Sequence, residues 1–366
     1  MKTIGCLVNT FLRRSEGFIY EQVVNVKKYN VEVFARAYRN REMFPWGKVN
    51  ALQGIESLRY TLFREAGSFD KAIKEKNVKL LHAHFGVDGV YALPFAQKHK
   101  IPLVVTFHGQ DITRLPKFKV FPPAWFNYWS HYHELQREGA LFLGVSDFIS
   151  RKLIEKGFPG EKVRTHYLGV NTNVETVSGK REKVILTVGR LVEKKGIEYL
   201  IRAMAEVVKT ERDCKLLVCG EGPLRKSLEI LTDKLKLKGP VEFVGWKSKN
   251  ELQKLYGRAS VFVLPSVTAS DGDCEGLGMV FLEAMTHSLP VIGTNHGGIP
   301  DVIIDKETGF LVPERDSMLL ADAIKTLIND RSLAERMGMK GNELVKEKFN
   351  ITRQIEKLEA IYREFI

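Results

Sequence analysis

Short, unbroken apolar runs alternate along this chain with longer stretches whose apolar residues recur every three or four positions. Runs apolar at every position belong to strands covered on both faces, and the periodic stretches between them are of helical length, so the pattern predicts parallel sheets wrapped by helices. In the first half the strand candidates are Thr3 to Val8, Val31 to Ala35, Val78 to His82, Leu103 to Phe107 and Leu141 to Val145. A second set begins at Val184 to Val188 and continues with Lys215 to Cys219, Val241 to Val244, Val261 to Leu264 and Pro290 to Ile292. Between the sets lies a polar stretch rich in turn formers, Gly169 to Lys183, which reads as an interdomain linker. No short-period repeat interrupts the alternation. Doubly wound sheets of this α/β kind bind ligands at the carboxyl ends of their strands, so functional residues are expected just after a strand.

Length and composition fit that division. The 366 residues, 44% of them hydrophobic, suffice for two domains that each bury a core, expected over residues 1–170 and 171–350. The opening run MKTIGCLVNT is followed at once by Arg13, Arg14 and Glu16, which suits a first strand and neither a signal segment nor a membrane span. Cys6, Cys214, Cys219 and Cys274 lack CxxC spacing, which argues against a zinc site or a disulfide framework and for a reducing, cytoplasmic compartment. The formal charge of +12 is compatible with an anionic ligand, nucleic acid or an acidic membrane face. Because the basic residues are spread out, with no dense run and no interleaved aromatics, nucleic acid is not expected as a partner.

Candidate chemistry sits where the pattern places it. After the strand VILTV come Gly189 and Arg190, then Lys195 and Gly196, and then a helix. A guanidinium fork and an ammonium in such a loop can both approach a diphosphate that the helix N-terminus already favours, though two surface cations would read the same way. The GxxxxGK[ST] pattern is absent, so no Walker loop is implied. In CEGLGMVFLEAM, Glu275 stands at a loop tip and Glu283 eight residues on in the following helix, a rise of roughly 12 Å. That separation suits a ligand held along its length, Glu283 accepting from ribose hydroxyls and Glu275 reaching a sugar, with the backbone N–H groups of Gly278, Met279 and Val280 facing phosphates between them. Paired carboxylates also serve glycoside hydrolases, but those need no cation clamp. Asp271-Gly272-Asp273 spells the DxD of metal-dependent sugar transferases, and with Glu275 it would suit Mg²⁺ or Mn²⁺; a solvated loop is the preferred reading, and no metal is expected.

In the first half, His108 follows the strand IPLVV into a glycine turn, where it can donate a hydrogen bond to a sugar hydroxyl or a departing oxygen. His82 and His84 end the preceding strand and read as structural. Gly17, where the first strand gives way to the first helix, would let backbone approach a phosphate, and Arg13 and Arg14 beside it suit an acidic acceptor or solvent. Two further loops, one with Glu221 and one with Gly245 and Trp246, follow strands of the second half and are placed to flank a nucleobase. Gly297 to Asp301 reads as a structural turn.

Taken in order, the Gly189-Arg190 and Lys195-Gly196 element, the Glu275 and Glu283 pair, FHGQD around His108 and HGGIPD from His296 resemble glycosyltransferase family four of the GT-B fold over nearly the whole chain. The resemblance implies two Rossmann-like, doubly wound domains facing across a cleft, the first (1–170) for the acceptor and the second (171–350) for a nucleotide sugar. It also implies a last helix, 351–366, crossing back to the first domain. Arg190 and Lys195 would hold the diphosphate, Glu283 the ribose, Glu275 the donor-sugar hydroxyls and His108 the sugar side of the cleft. The implied activity is retaining and metal-independent transfer of a hexose from a UDP- or GDP-linked sugar to a glycan or lipid-linked acceptor in polysaccharide biosynthesis, with no cofactor. The first loop, SEGF, has only Gly17 where many members carry a double glycine, and it is similar to the exopolysaccharide and colanic-acid branch. Lipid-linked acceptors in that branch would give the basic surface a peripheral place on an anionic membrane. A GT-B nucleotide-sugar 2-epimerase, which needs no acceptor, and a non-catalytic nucleotide-sugar-binding subunit are the competing readings.

Overall fold

Strands that are apolar on both faces leave no solvent side for a sheet, and both sheets of this protein are accordingly parallel and buried. The computed structural model describes residues 1–13, 15–114, 123–174 and 181–366. Arg14 and part of the expected linker, residues 175–180, lie outside the described residues. The chain divides into two compact units, Met1–Gly169 with Ile351–Ile366, and Val170–Asn350.

The first unit holds a seven-stranded sheet of β1 (Thr3–Phe11), β2 (Asn30–Tyr38), β3 (Val49–Ala51), β4 (Val78–His84), β5 (Leu103–Phe107), β6 (Leu141–Gly144) and β7 (Val163–Thr165). Its strand order is β3-β2-β1-β4-β5-β6-β7. The second unit holds β8 (Val184–Val188), β9 (Lys215–Cys219), β10 (Val241–Gly245), β11 (Val261–Leu264), β12 (Val291–Thr294) and β13 (Gly309–Val312), in the order β10-β9-β8-β11-β12-β13. The order reverses between β1 and β4 in one sheet and between β8 and β11 in the other, and such reversals open the crevices in which α/β sheets bind ligands.

All ten runs read from the sequence form strands; of the other three, β3 and β7 have no apolar run, while β13 is apolar (GFLV) and is not among the runs read. Each is three or four residues long at a sheet edge and partly exposed, and an edge strand paired on one side has no need of a continuous apolar stretch. Helices cover the faces by the same logic. Ile197–Thr210 turns Ile197, Leu200, Ile201, Met204 and Val207 inward, a three- and four-residue spacing that lines one side of a helix.

The helix Ile351–Phe365 completes the first unit. Its Leu358 and Tyr362 pack with Ile4, Leu80, Val104, Leu141 and Leu143 from four strands of the first sheet. Glu359, 4% exposed, accepts from the backbone N–H groups of Lys27 and Lys28, both at 2.7 Å, closing two donors just past the end of the first helix. The Tyr362 hydroxyl lies 2.6 Å from His82 Nδ1, whose Nε2 lies 2.8 Å from Thr106 Oγ1. His82 is therefore a satisfied core residue; burial, then the neighbouring histidines, holds its pKa well below the usual histidine range. Tyr362→Phe is expected to orphan the buried His82 Nδ1 and cost on the order of 1–3 kcal/mol, read as a lower urea midpoint. An unchanged midpoint would show that the bond adds nothing to stability.

Candidate functional site

The two loops that flank the reversal in the second sheet, one after β8 and one after β11, are stitched together by three consecutive charged residues. Glu193 accepts from Ser270 N and Ser270 Oγ, both at 2.8 Å, Lys194 reaches Asp273 Oδ1 at 2.9 Å, and Lys195 reaches Glu275 Oε2 at 2.5 Å. The backbone joins in, with Val267 N donating to Lys194 O at 2.8 Å. The turn that makes this possible ends on Gly196, at φ +60° with Pro265 O only 1.9 Å from where a Cβ would stand, so no other residue fits there. The Lys195 methylenes pass over Gly189, 3.5 Å from its missing Cβ position. Arg190, one residue on, is exposed and its side chain has no hydrogen-bond or ion-pair partner among the described residues.

This arrangement corrects the reading of Asp271-Gly272-Asp273 as a solvated loop. Asp273 is mostly buried against Lys194, whose ammonium also reaches Cys274 O at 3.3 Å, and Asp271 Oδ1 accepts from Asp273 N at 3.2 Å. Two of the three carboxylates in the segment are thus each matched to a lysine, a distribution that spends their charge on the protein itself. The four cysteines are all buried and free.

Glu275 is 9% exposed. Burial alone would raise its pKa, but the Lys195 and Lys194 ammonium groups beside it, with the Lys195 hydrogen bond and His296, hold it down to about 2. Its backbone is fixed too. Glu275 N donates to His296 Nε2 at 3.3 Å, and His296 Nδ1, facing Glu314 Oε1 at 2.8 Å, must then carry the ring proton. Glu314 also accepts from Thr268 N at 2.7 Å. The turn at Gly297 packs on the same peptide: its φ is +55°, a Cβ there would meet Glu275 O at 2.4 Å, and Gly298 N donates to that oxygen at 2.9 Å. The segment read as a structural turn is therefore the cradle of Glu275.

Gly278, at φ +86°, caps the helix Met279–Thr286, so the N–H groups of Gly278, Met279 and Val280 form its open N-terminus. Glu283, in the same helix, is half-buried and accepts from Tyr256 Oη at 3.0 Å through Oε2. Burial raises its pKa and the Tyr256 bond opposes that. Glu221 is tied to Arg225 Nη1 at 2.6 Å, close to the turn at Gly245, and the neighbouring Trp246 is 44% exposed.

The remaining candidates belong to the first unit. Gly17 begins the helix Gly17–Asn25, and a Cβ there would make only ordinary contact with Phe44, at 3.5 Å, so local packing does not demand glycine. His108 lies between Phe18 and Phe85, with ring centroids at 4.8 and 4.6 Å, and its Nε2 is 3.2 Å from His84 Nδ1. Its Nδ1 is buried without a partner among the described residues. Burial first, then His84, holds the His108 pKa well below the usual histidine range, which favours the neutral ring. The sequence pattern gave no sign of Lys194, Glu314, Tyr256 or the His84 contact, and it marked His296 only as the start of the HGGIPD motif, not as a partner of Glu275.

Two family models together match most of the chain. Residues 172–344 match the family described as glycosyl transferases group 1, and residues 25–174 match Glycosyltransferase Family 4. WcaL of Salmonella typhimurium, named as a colanic acid biosynthesis glycosyltransferase, is 31% identical over 286 residues, covering 75% of this chain and 69% of that protein. The amylovoran biosynthesis glycosyltransferase AmsK of Erwinia amylovora is 30% identical, over 73% of this chain and 65% of its own length. Among solved structures, HepE of Anabaena, crystallised with UDP and glucose, superposes with a TM-score of 0.82 at 19% identity over the full length of both chains, which shows a shared fold.

Proposed function

This chain belongs to the group 1 glycosyltransferases of family four, enzymes of the GT-B fold that use nucleotide sugars, and from that premise we propose that it is a retaining, metal-independent hexosyltransferase of polysaccharide biosynthesis. The donor, UDP- or GDP-linked, binds to the second unit, and a glycan or lipid-linked acceptor to the first. The observation that supports this best is the set of anion partners at the β8/β11 reversal: Arg190 with no partner of its own, Lys195 already in place, and the open N-terminus beginning at Gly278.

In this reading the diphosphate lies against Arg190, Lys195 and the N–H groups of Gly278, Met279 and Val280, with Gly189 leaving room at its side. Lys195 and Ser266 both bond Glu275 through Oε2, and Tyr256 bonds Glu283 through Oε2. The other oxygen of each carboxylate is left for hydroxyls, of the donor sugar at Glu275 and of the ribose at Glu283. Glu221, Gly245 and Trp246 flank the base, Gly17 lets backbone approach a phosphate, and His108 offers a neutral imidazole to the sugar. As the glycosidic bond breaks, charge grows on the departing diphosphate and meets cations already fixed for it, so their contribution is larger in the transition state than in the ground state. The acceptor attacks the same face and passes its proton toward the donor phosphate. Asp273, held by Lys194, takes no part.

No helix among the described residues is long and apolar enough to cross a membrane. We place the enzyme in the cytoplasm, with its basic surface resting on an anionic membrane when the acceptor is lipid-linked.

Thermal shift and transfer assays in excess EDTA test the proposal. UDP or GDP is expected to raise the melting temperature without metal, by about 2.7 kcal/mol of stability at a hundred times Kd. Turnover should depend on acceptor. Activity abolished by EDTA and restored by Mn²⁺ would return Asp271 and Asp273 to the site as ligands, and a rearranged free sugar formed without acceptor would make the protein an epimerase.

A further inference from the structure

A helix laid on a protein core normally turns its apolar stripe inward, and the helix Gly54–Phe63 of the first unit does the reverse. Its one buried residue is Tyr60, and the inward positions beside it are the half-buried Ser57 and Thr61, the Thr61 hydroxyl donating to Ser57 O at 2.7 Å. The outward side carries Ile55, Leu58, Leu62 and Phe63, exposed by 72%, 57%, 44% and 65%. At 3.6 residues per turn, these four and the exposed Arg59 fall within one arc of about 140°. The helix Pro123–Ser130 lies alongside: its buried Asn127 donates to Thr61 O at 3.1 Å and Leu62 O at 3.3 Å, and the adjacent Phe126 is 64% exposed. Single exposed apolar side chains are ordinary, but five large ones gathered on two neighbouring helices mark a surface that meets something other than water.

Charge says what that is. Residues 1–169 and 351–366 hold 29 Lys and Arg against 18 Asp and Glu, whereas residues 170–350 hold 27 against 26. Nearly all of the net +12 therefore belongs to the unit that carries the apolar face. A second copy of the chain would bring like charge toward that face, and an uncharged partner would leave the charge unanswered. A bilayer with anionic headgroups answers both features at once, drawing in the basic unit and taking up the apolar side chains at the boundary of headgroups and acyl chains.

We propose that the helix Gly54–Phe63, with Phe126 beside it, is the face by which the protein enters an anionic membrane. The helix lies parallel to the surface with Ile55, Leu58, Leu62 and Phe63 toward the acyl chains, while the Arg59 guanidinium bends back to lipid phosphates. The inference rests on the reading that the basic surface meets an anionic membrane, and it adds the apolar face that goes in. It holds whether or not the acceptor is lipid-linked.

The test is co-sedimentation of the full chain with vesicles of phosphatidylcholine alone and of an equal mixture with phosphatidylglycerol. The mixed vesicles are expected to hold the protein at least about tenfold more tightly. Leu58→Ser and Phe63→Ser should each weaken binding to the mixed vesicles about tenfold, the effect of one large apolar side chain left in water instead of lipid. Neither change should lower the melting temperature, because both side chains are exposed in the protein. Variants that bind the mixed vesicles as wild type does would overturn the assignment and leave the basic surface alone as the contact. A wild-type chain that binds neither kind of vesicle, or both equally, would overturn the anionic-membrane reading and the inference with it. A concentration-dependent dimer in light scattering that Leu58→Ser abolishes would overturn the inference by giving the face to a second copy. UDP or GDP binding, followed by thermal shift on the same samples, should be equal in all three proteins; its absence from the wild type would sink the transferase reading and leave the vesicle result standing.

Discussion

Lys195→Ala is expected to lower kcat/KM by about 10- to 100-fold, the worth of one charge-assisted contact to the diphosphate at 1.5–3 kcal/mol. The same change should destabilise the fold at neutral pH, because the mostly buried Glu275 carboxylate loses its nearest counter-charge. Glu275 titrates near 2 in the folded protein against an ordinary value of 4.5. A depressed carboxylate pKa stabilises the fold fully above pH 4.5 and loses that contribution as pH falls toward 2. A shift of that size corresponds to about 3 kcal/mol. In the variant, burial is opposed only by Lys194 and His296, so the pKa moves up; the stability deficit is largest at pH 7 and narrows as falling pH protonates the carboxyl. Urea midpoints of wild type and variant at pH 7 and pH 3 measure this, and equal midpoints at pH 7 would remove the ion pair from the account of stability.

Arg190→Ala should separate catalysis from stability. Its side chain is exposed and has no partner among the described residues, so its removal should change unfolding free energy by no more than about 0.5 kcal/mol. On the proposed role, turnover should fall about 10- to 100-fold all the same, the worth of one charge-assisted contact to the diphosphate. A fall in kcat at a nearly unchanged KM would locate the contact in the transition state, and a rise in KM alone would locate it in ground-state binding. Wild-type kinetics with wild-type stability would leave Arg190 with no role.

The contrast between these two cations explains what could be read from sequence. Arg190, Lys195, Glu275 and Glu283 stand in or just beyond loops that follow apolar runs, and a strand's carboxyl end is a position that sequence can reveal. The groups that set their state are invisible to periodicity. Lys194 meets a carboxylate 79 residues away, His296 fixes the Glu275 peptide across 21 residues, and Tyr256 bonds Glu283 across 27. Each of these is polar and local sequence says nothing of its partner, which is chosen when β8, β11 and β12 are laid side by side. For the same reason Asp273 read as solvent-facing: three acidic residues in an irregular loop look hydrated until the lysine that neutralises one of them is seen. The strands show the complementary case, since ten runs were legible from their apolarity, whereas the short edges β3 and β7 carry Asn50 and Arg164 at their centres and were not.

The contribution of residues 351–366 to the first unit bears on how the protein is made. The ribosome delivers the whole of the second unit, Val170–Asn350, before it delivers the segment that covers Ile4, Leu80 and Val104. The second unit, continuous in the chain, can therefore finish folding during synthesis, while the first must wait with an apolar flank uncovered. Its completion joins Glu359 to Lys27 across 332 residues, one of the longest loop closures in the molecule, and so falls at the slow end of assembly, when the nascent protein is most exposed to aggregation and to chaperones.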